Sequence, residues 1–178
     1  MTAAWRLLLA AAMMLAAAAP ARAQPSEAAV KAAFLPKFAR YVSWPPAAQP
    51  GGRAPFQLCV IGRDPFGRML DTAASTELVD GHGVSVRRLP SLEGAGSCHV
   101  AFVQGQSAQE TSRLLAGLAA RPTLTVTDGR AGPQRGIIHF AVVGGRVRFY
   151  IDQAAASDRG LSISSRLLAL AVGVRQAR

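Results

Sequence analysis

Short apolar runs alternate with capped, helix-forming segments through the middle of this chain, and no other feature narrows its fold as much. Phe56–Ile61, Val84–Leu89, His99–Val103 and Thr123–Thr127 each have strand length and are mostly apolar. Such runs suit strands buried on both faces of a sheet. Between them lie helix starts. Asp64-Pro65 can cap and open a helix running to about Ala74, with Phe66, Met69, Leu70 and Ala73 inward. Ser107-Ala108-Gln109-Glu110 is a capping box for a helix to about Ala120, burying Leu114, Leu115 and Leu118. Strands alternating with helices predict an α/β fold: a mainly parallel sheet covered on both faces, a three-layer α/β/α sandwich.

The flanks add to that frame. Ser26–Val42 carries Ala29, Val30, Ala33, Phe34, Phe38, Tyr41 and Val42 at helical spacing, which predicts an amphipathic helix. Pro36 is expected to kink or divide it. Residues 47–55, rich in Pro, Gly and Ala, read as a loop. Near the other end, Ile137–Val143 and Arg146–Ile151 flank Gly144-Gly145, a two-residue link suited to an antiparallel hairpin. That brings the sheet to about six strands. Ser162–Val174 reads as a final helix with a stripe of Leu167, Leu168, Ala171 and Val172. No internal repeat is present.

The first 23 residues follow a different logic. Arg6 precedes an apolar run, Leu7–Ala19; Pro20 breaks it, and Ala21-Arg22-Ala23 offers small residues at a cleavage site. That order is a secretory signal peptide. The run falls short of the roughly 20 residues needed to cross a bilayer. Cleavage after Ala23 leaves one domain, residues 24–178, destined for the periplasm. It removes Arg6 and Arg22, so the formal charge falls from +10 to +8. The basic residues are scattered along the chain and not interleaved with aromatics, which argues against nucleic acid. Cys59 and Cys98 are the only cysteines. In an oxidising compartment an even count favours one disulfide, and no CxxC points to redox or zinc chemistry.

A parallel sheet places its site at the carboxyl ends of its strands. Arg63, Asp64, Gln104, Gln106, Ser107, Asp128 and Arg130 occupy those ends and form a candidate polar pocket, although caps and turns demand the same residue types. Catalysis is disfavoured. There is no GxSxG, no phosphate loop and no dinucleotide fingerprint. His82, His99 and His139 lack metal spacing, His82 in a turn and the others at strand positions. No enzyme activity, metal or cofactor is expected. Trp44 and Phe66 sit near element ends and are candidate interface anchors, with local core as the competing role.

Seven segments in order resemble the YfiR family: AAFLPKFARYVSWP (32–45), FQLCVIGRDPFG (56–67), CHVAFV (98–103), LTVTD (124–128), GIIHF (136–140), GRVRFYID (145–152) and LSISSRLLALA (161–171). The resemblance implies a periplasmic regulator able to form a homodimer. It implies repression of an inner-membrane diguanylate cyclase through that enzyme's periplasmic sensor part, and so control of cyclic di-GMP and biofilm formation. An outer-membrane lipoprotein is implied as a partner that sequesters the repressor. Cys59 and Cys98 match a disulfide-forming pair of the family; the second pair of its best-known member has no counterpart here. A small-molecule sensor acting on another membrane partner, such as a histidine kinase, is the alternative.

Overall fold

The computed structural model describes residues 24–176; the leader read over Met1–Ala23 lies outside the described residues. Helix α1, Glu27–Phe38, starts where Ser26 accepts a hydrogen bond from the Ala29 amide at 3.2 Å. It passes through Pro36 undivided and tightens into a single 3-10 turn, Ala39–Tyr41. The proline removes a backbone bond only from the last turn, where the ladder is ending anyway. The short strand β1 (Val42–Ser43) follows, then β2 (Phe56–Gly62), α2 (Arg68–Ser75), β3 (Leu78–Val79) and β4 (His82–Leu89). The second half comprises β5 (Val100–Gln104), α3 (Ala108–Gly117), β6 (Leu124–Asp128), β7 (Ile138–Val143), β8 (Arg146–Asp152), α4 (Gln153–Ser157), β9 (Ser162–Ile163), α5 (Ser165–Leu168) and β10 (Gly173–Arg175).

Eight strands form the main sheet in the order β10-β8-β7-β6-β5-β2-β4-β3, and β1 pairs with β9 beside it. From β4 through β7 every neighbouring pair is parallel. Two hairpins close the pattern, one at each side. Asp80-Gly81 joins β3 to β4 and Gly144-Gly145 joins β7 to β8, all four residues at positive φ, from 50° to 85°. Two successive left-handed residues give the turn whose twist matches that of paired strands.

The chain places helices on both faces. On one, α1 and α2 cover Leu58, Val60, Phe102, Val126 and Ile138, and Phe38 meets Phe140 and Phe149 with ring centroids 5.6 and 5.2 Å apart. On the other, Leu114 and Leu118 of α3 cover Ile61, Ala101, Val103 and the Cys59–Cys98 disulfide. That second face turns polar beneath β6 and β7, where Thr125, Thr127 and His139 are buried. The three-layer α/β/α sandwich, mainly parallel with an antiparallel hairpin, is the architecture the sequence implies. Among the described residues no helix is long and apolar enough to cross a membrane.

Four local expectations need correction. The buried residues of α1 are Lys31, Ala32, Leu35, Pro36 and Phe38, while Ala29, Val30, Ala33 and Phe34 are only partly covered. The helix is apolar nearly all round, so spacing alone did not fix its rotation. Asp64 does not cap α2: it accepts from the Phe66 and Gly67 amides at 2.8 and 3.1 Å, closing a turn two residues before the helix begins. Met69 is exposed. The final helix is a single turn, α5, capped by Ser164, and Val172 is exposed. Gly173 and the β-branched valines around it disfavour helix, and β8 offers an unpaired edge on which Gly173–Arg175 lies as a parallel strand.

Candidate functional site

β2 lies between β4 and β5, so the chain leaves it toward one side of the sheet and later resumes on the other. The crevice at the strand ends beside this reversal is where α/β sheets hold ligands. A cavity of about 340 Å³ opens there, lined by Phe66, Gln104, Asp128 and Arg130 together with Glu27 and Lys31 from α1.

Lys31 organises it. Its side chain is 3% exposed, and its ammonium donates to Asp128 Oδ2 at 2.5 Å and to Glu27 Oε1. Arg130 grips Glu27 with two nitrogens, Nε to Oε1 at 2.7 Å and Nη2 to Oε2 at 2.6 Å. Its own amide donates to Asp128 Oδ1 at 3.0 Å. Burial raises the Glu27 pKa, but the bonds from Lys31 and Arg130 outweigh it and hold the carboxyl below its usual value. Two cations facing two carboxylates leave the cluster formally neutral. Phe66 forms an apolar wall, edge-on to Phe102 with centroids 4.7 Å apart.

Gly62 lets the ends of β2 and β5 approach closely. It lies at φ 86°, and a β-carbon there would stand 2.3 Å from the Gln104 carbonyl oxygen. That same carbonyl accepts from the Arg63 amide at 2.7 Å, tying the ends of β2 and β5 together. Only glycine fits so close an approach.

Gln104, Asp128 and Arg130, from the strand-end candidates, share one crevice with Phe66. The remaining sequence candidates have other occupations. Arg63 is exposed. Asp64 closes its turn and accepts from Arg88 Nε at 2.7 Å; burial raises its pKa, and Arg88 with the two amides more than offsets that and lowers it. Ser107 caps α3, while Glu110 accepts from the Gln106 amide at 2.6 Å. Trp44 stands at the opposite end of the sheet, edge-on to Phe56 at 4.8 Å. Trp44 and Phe66 are 6% and 2% exposed, so neither presents the free aromatic surface an anchor requires; both are core. Lys31 and Glu27 escaped sequence reasoning because Lys31 meets Asp128 across 97 positions, with no local motif marking it.

The histidines are structural. His82 Nδ1 lies 2.8 Å from the Ala54 carbonyl, His99 Nδ1 accepts from the Gln57 amide at 2.9 Å, and His139 Nδ1 lies 2.8 Å from Thr127 Oγ1. Among the described residues, no group of three or more His, Cys, Asp or Glu side chains could hold a metal ion.

The chain is a mainly parallel α/β sandwich, closed by one buried disulfide and carrying a charge-compensated crevice at its topological switch. The chain belongs to the YfiR/HmsC-like family, whose family model matches residues 28–172. A search of curated proteins finds no match.

Proposed function

We propose that this protein is a periplasmic, non-enzymatic repressor that binds the periplasmic sensor part of an inner-membrane diguanylate cyclase. In this reading it lowers cyclic di-GMP and restrains biofilm formation, acts as a homodimer, and is relieved when an outer-membrane lipoprotein sequesters it. One observation carries the reading: the YfiR/HmsC-like match runs from the first turn of α1 to the residue before β10, so it spans every strand of the sheet but that last one, and both cysteines. Membership of that family supports a regulatory role in diguanylate cyclase signalling. The disulfide, with both cysteines at most 4% exposed, suits an oxidising compartment. Deleting the gene in its native host is expected to raise cyclic di-GMP, and the wild-type gene expressed with its leader to restore the level. An unchanged level on deletion would overturn the repressor role.

The strand-end cavity supports a second reading, a small-molecule sensor whose ligand controls the membrane partner. Its paired cations and carboxylates suit a zwitterion such as an amino acid. A ligand that binds only the folded state raises thermal stability with concentration. A screen of amino acids that moves the midpoint of wild type but not of D128N would favour this reading; a flat screen would remove it.

A further inference from the structure

Exposed apolar side chains gather at one edge of the molecule. Of the six exposed large hydrophobic residues among those described, Val142 and Val143 (41% and 43% exposed) stand at the end of β7, and Leu170 and Val172 (59% and 47%) in the turn leading to β10. The Val172 amide donates to the Phe149 carbonyl at 2.9 Å, which sets the turn before β10 against β8, the strand next to β7. Register places Val142 across from Val147 on the face that α1 covers, and Val143 across from Arg146 on the other face, so the hairpin end presents an apolar side chain on each side. A groove of about 660 Å³ lies between this hairpin end and Val30 and Phe34 of α1.

Arginine flanks the apolar group. Arg146 and Arg148 are exposed and form no ion pair among the described residues. The nearby carboxylates are already taken, Glu27 by Lys31 and Arg130, and Asp152 by Arg175 at 2.5 Å. β10 meets β8 only at Tyr150–Asp152, so the β8 edge at Arg146–Arg148 has no strand beyond it.

We propose that this edge docks on an anionic phospholipid surface, with the valines and Leu170 entering the interface and Arg146 and Arg148 meeting headgroup phosphates. Apolar side chains beside unpaired basic groups are the combination that binds such surfaces. The charge argues against a second copy of the chain, since symmetric contact across this patch would bring arginine against arginine. The proposal is independent of the cyclase reading, because lipid vesicles contain no protein partner.

The test is co-sedimentation of residues 24–178, folded and oxidised, with vesicles of phosphatidylethanolamine and phosphatidylglycerol, against vesicles of phosphatidylcholine alone. Binding is expected only to the anionic vesicles and should weaken as salt rises. R146Q/R148Q should lose roughly fivefold per arginine, equivalent to about 1 kcal/mol each. R68Q/R113Q, an equal loss of charge away from the edge, should bind as wild type does. No binding to anionic vesicles, or an equal loss in both double variants, overturns the proposal. Vesicle binding unchanged in R146Q/R148Q together with a shifted dimer–monomer equilibrium would assign the edge to a second copy instead.

Discussion

The two faces of the sheet are held by different means. Beneath α1 and α2 the contacts are almost wholly apolar, a layer of phenylalanines meeting Leu58, Val126 and Ile138. Beneath α3 the apolar cluster is smaller and carries the disulfide, and the layer continues into hydrogen-bonded polar groups. There Thr125 Oγ1 accepts from the Ile137 amide at 3.1 Å and Thr127 Oγ1 from the Gly136 amide at 2.9 Å. Those bonds satisfy the backbone just before β7 in a connection from β6 that holds only one 3-10 turn, Gly129–Ala131, and no α-helix. A face with one helix lacks the area to be closed by burial alone; a covalent link and threonine hydroxyls supply the rest.

That contrast can be broken from either side. Phe38→Ala, at the centre of the first face, should destabilise the fold by about 3–5 kcal/mol in chemical denaturation, as large-to-small core changes do. On the second face, C59A/C98A should lose about 4 kcal/mol, the loop-closure value for cysteines 39 positions apart. A loss below 1 kcal/mol there would mean that packing under α3 suffices and the contrast is wrong. Lys31→Met should destabilise by about 1–3 kcal/mol, because it leaves Asp128 largely buried without its cation. K31M/D128N should recover much of the loss.

Acid should act on the polar side first. Burial lowers the pKa of His139 and of His99, with a smaller downward push on His139 from Arg135. The unfolded chain then takes up protons before the folded one does. Stability is full above the unfolded histidine value of about 6.5 and falls as pH drops through it toward the folded values. H139N should flatten that slope in a stability–pH profile between pH 7 and 5. Glu27, Asp64 and Asp71 also have lowered pKa values and contribute with the same sign at lower pH, their stabilisation present above about pH 4 and lost below it. The smallest effect is expected at the surface: Arg88→Met removes pairs with Asp64 and Asp71 that are substantially exposed, and should cost no more than about 1 kcal/mol.

What the sequence discloses follows the same division. The parallel strands were legible because each is a short apolar run bounded by turn or cap residues, and Ser107 and Gly144-Gly145 act as their types suggest. Helix α1 was legible in extent but not in rotation: Leu35 is fully buried and Val30 is not, although both are large and apolar. Strands of two or three residues, β1, β3, β9 and β10, carry no periodicity: β3 and β10 lie on the edges of the longer β4 and β8, and β1 and β9 pair with each other. At the crevice, Gln104, Asp128 and Arg130 were legible from strand-end position, whereas Phe66 reads in the sequence as an inward helix residue or an interface anchor. Lys31 was not, since a lysine amid alanines looks like a solvated face until Asp128 arrives from the far half of the chain.

The central claim is that this domain regulates by holding a membrane signalling protein. The most direct measurement is capture from detergent-solubilised inner membranes of the native host on immobilised residues 24–178, with bound proteins identified by mass spectrometry. The account expects a diguanylate cyclase retained by the oxidised protein and lost when Cys59–Cys98 is reduced and the domain loosens. Capture of no membrane protein in either state would contradict it.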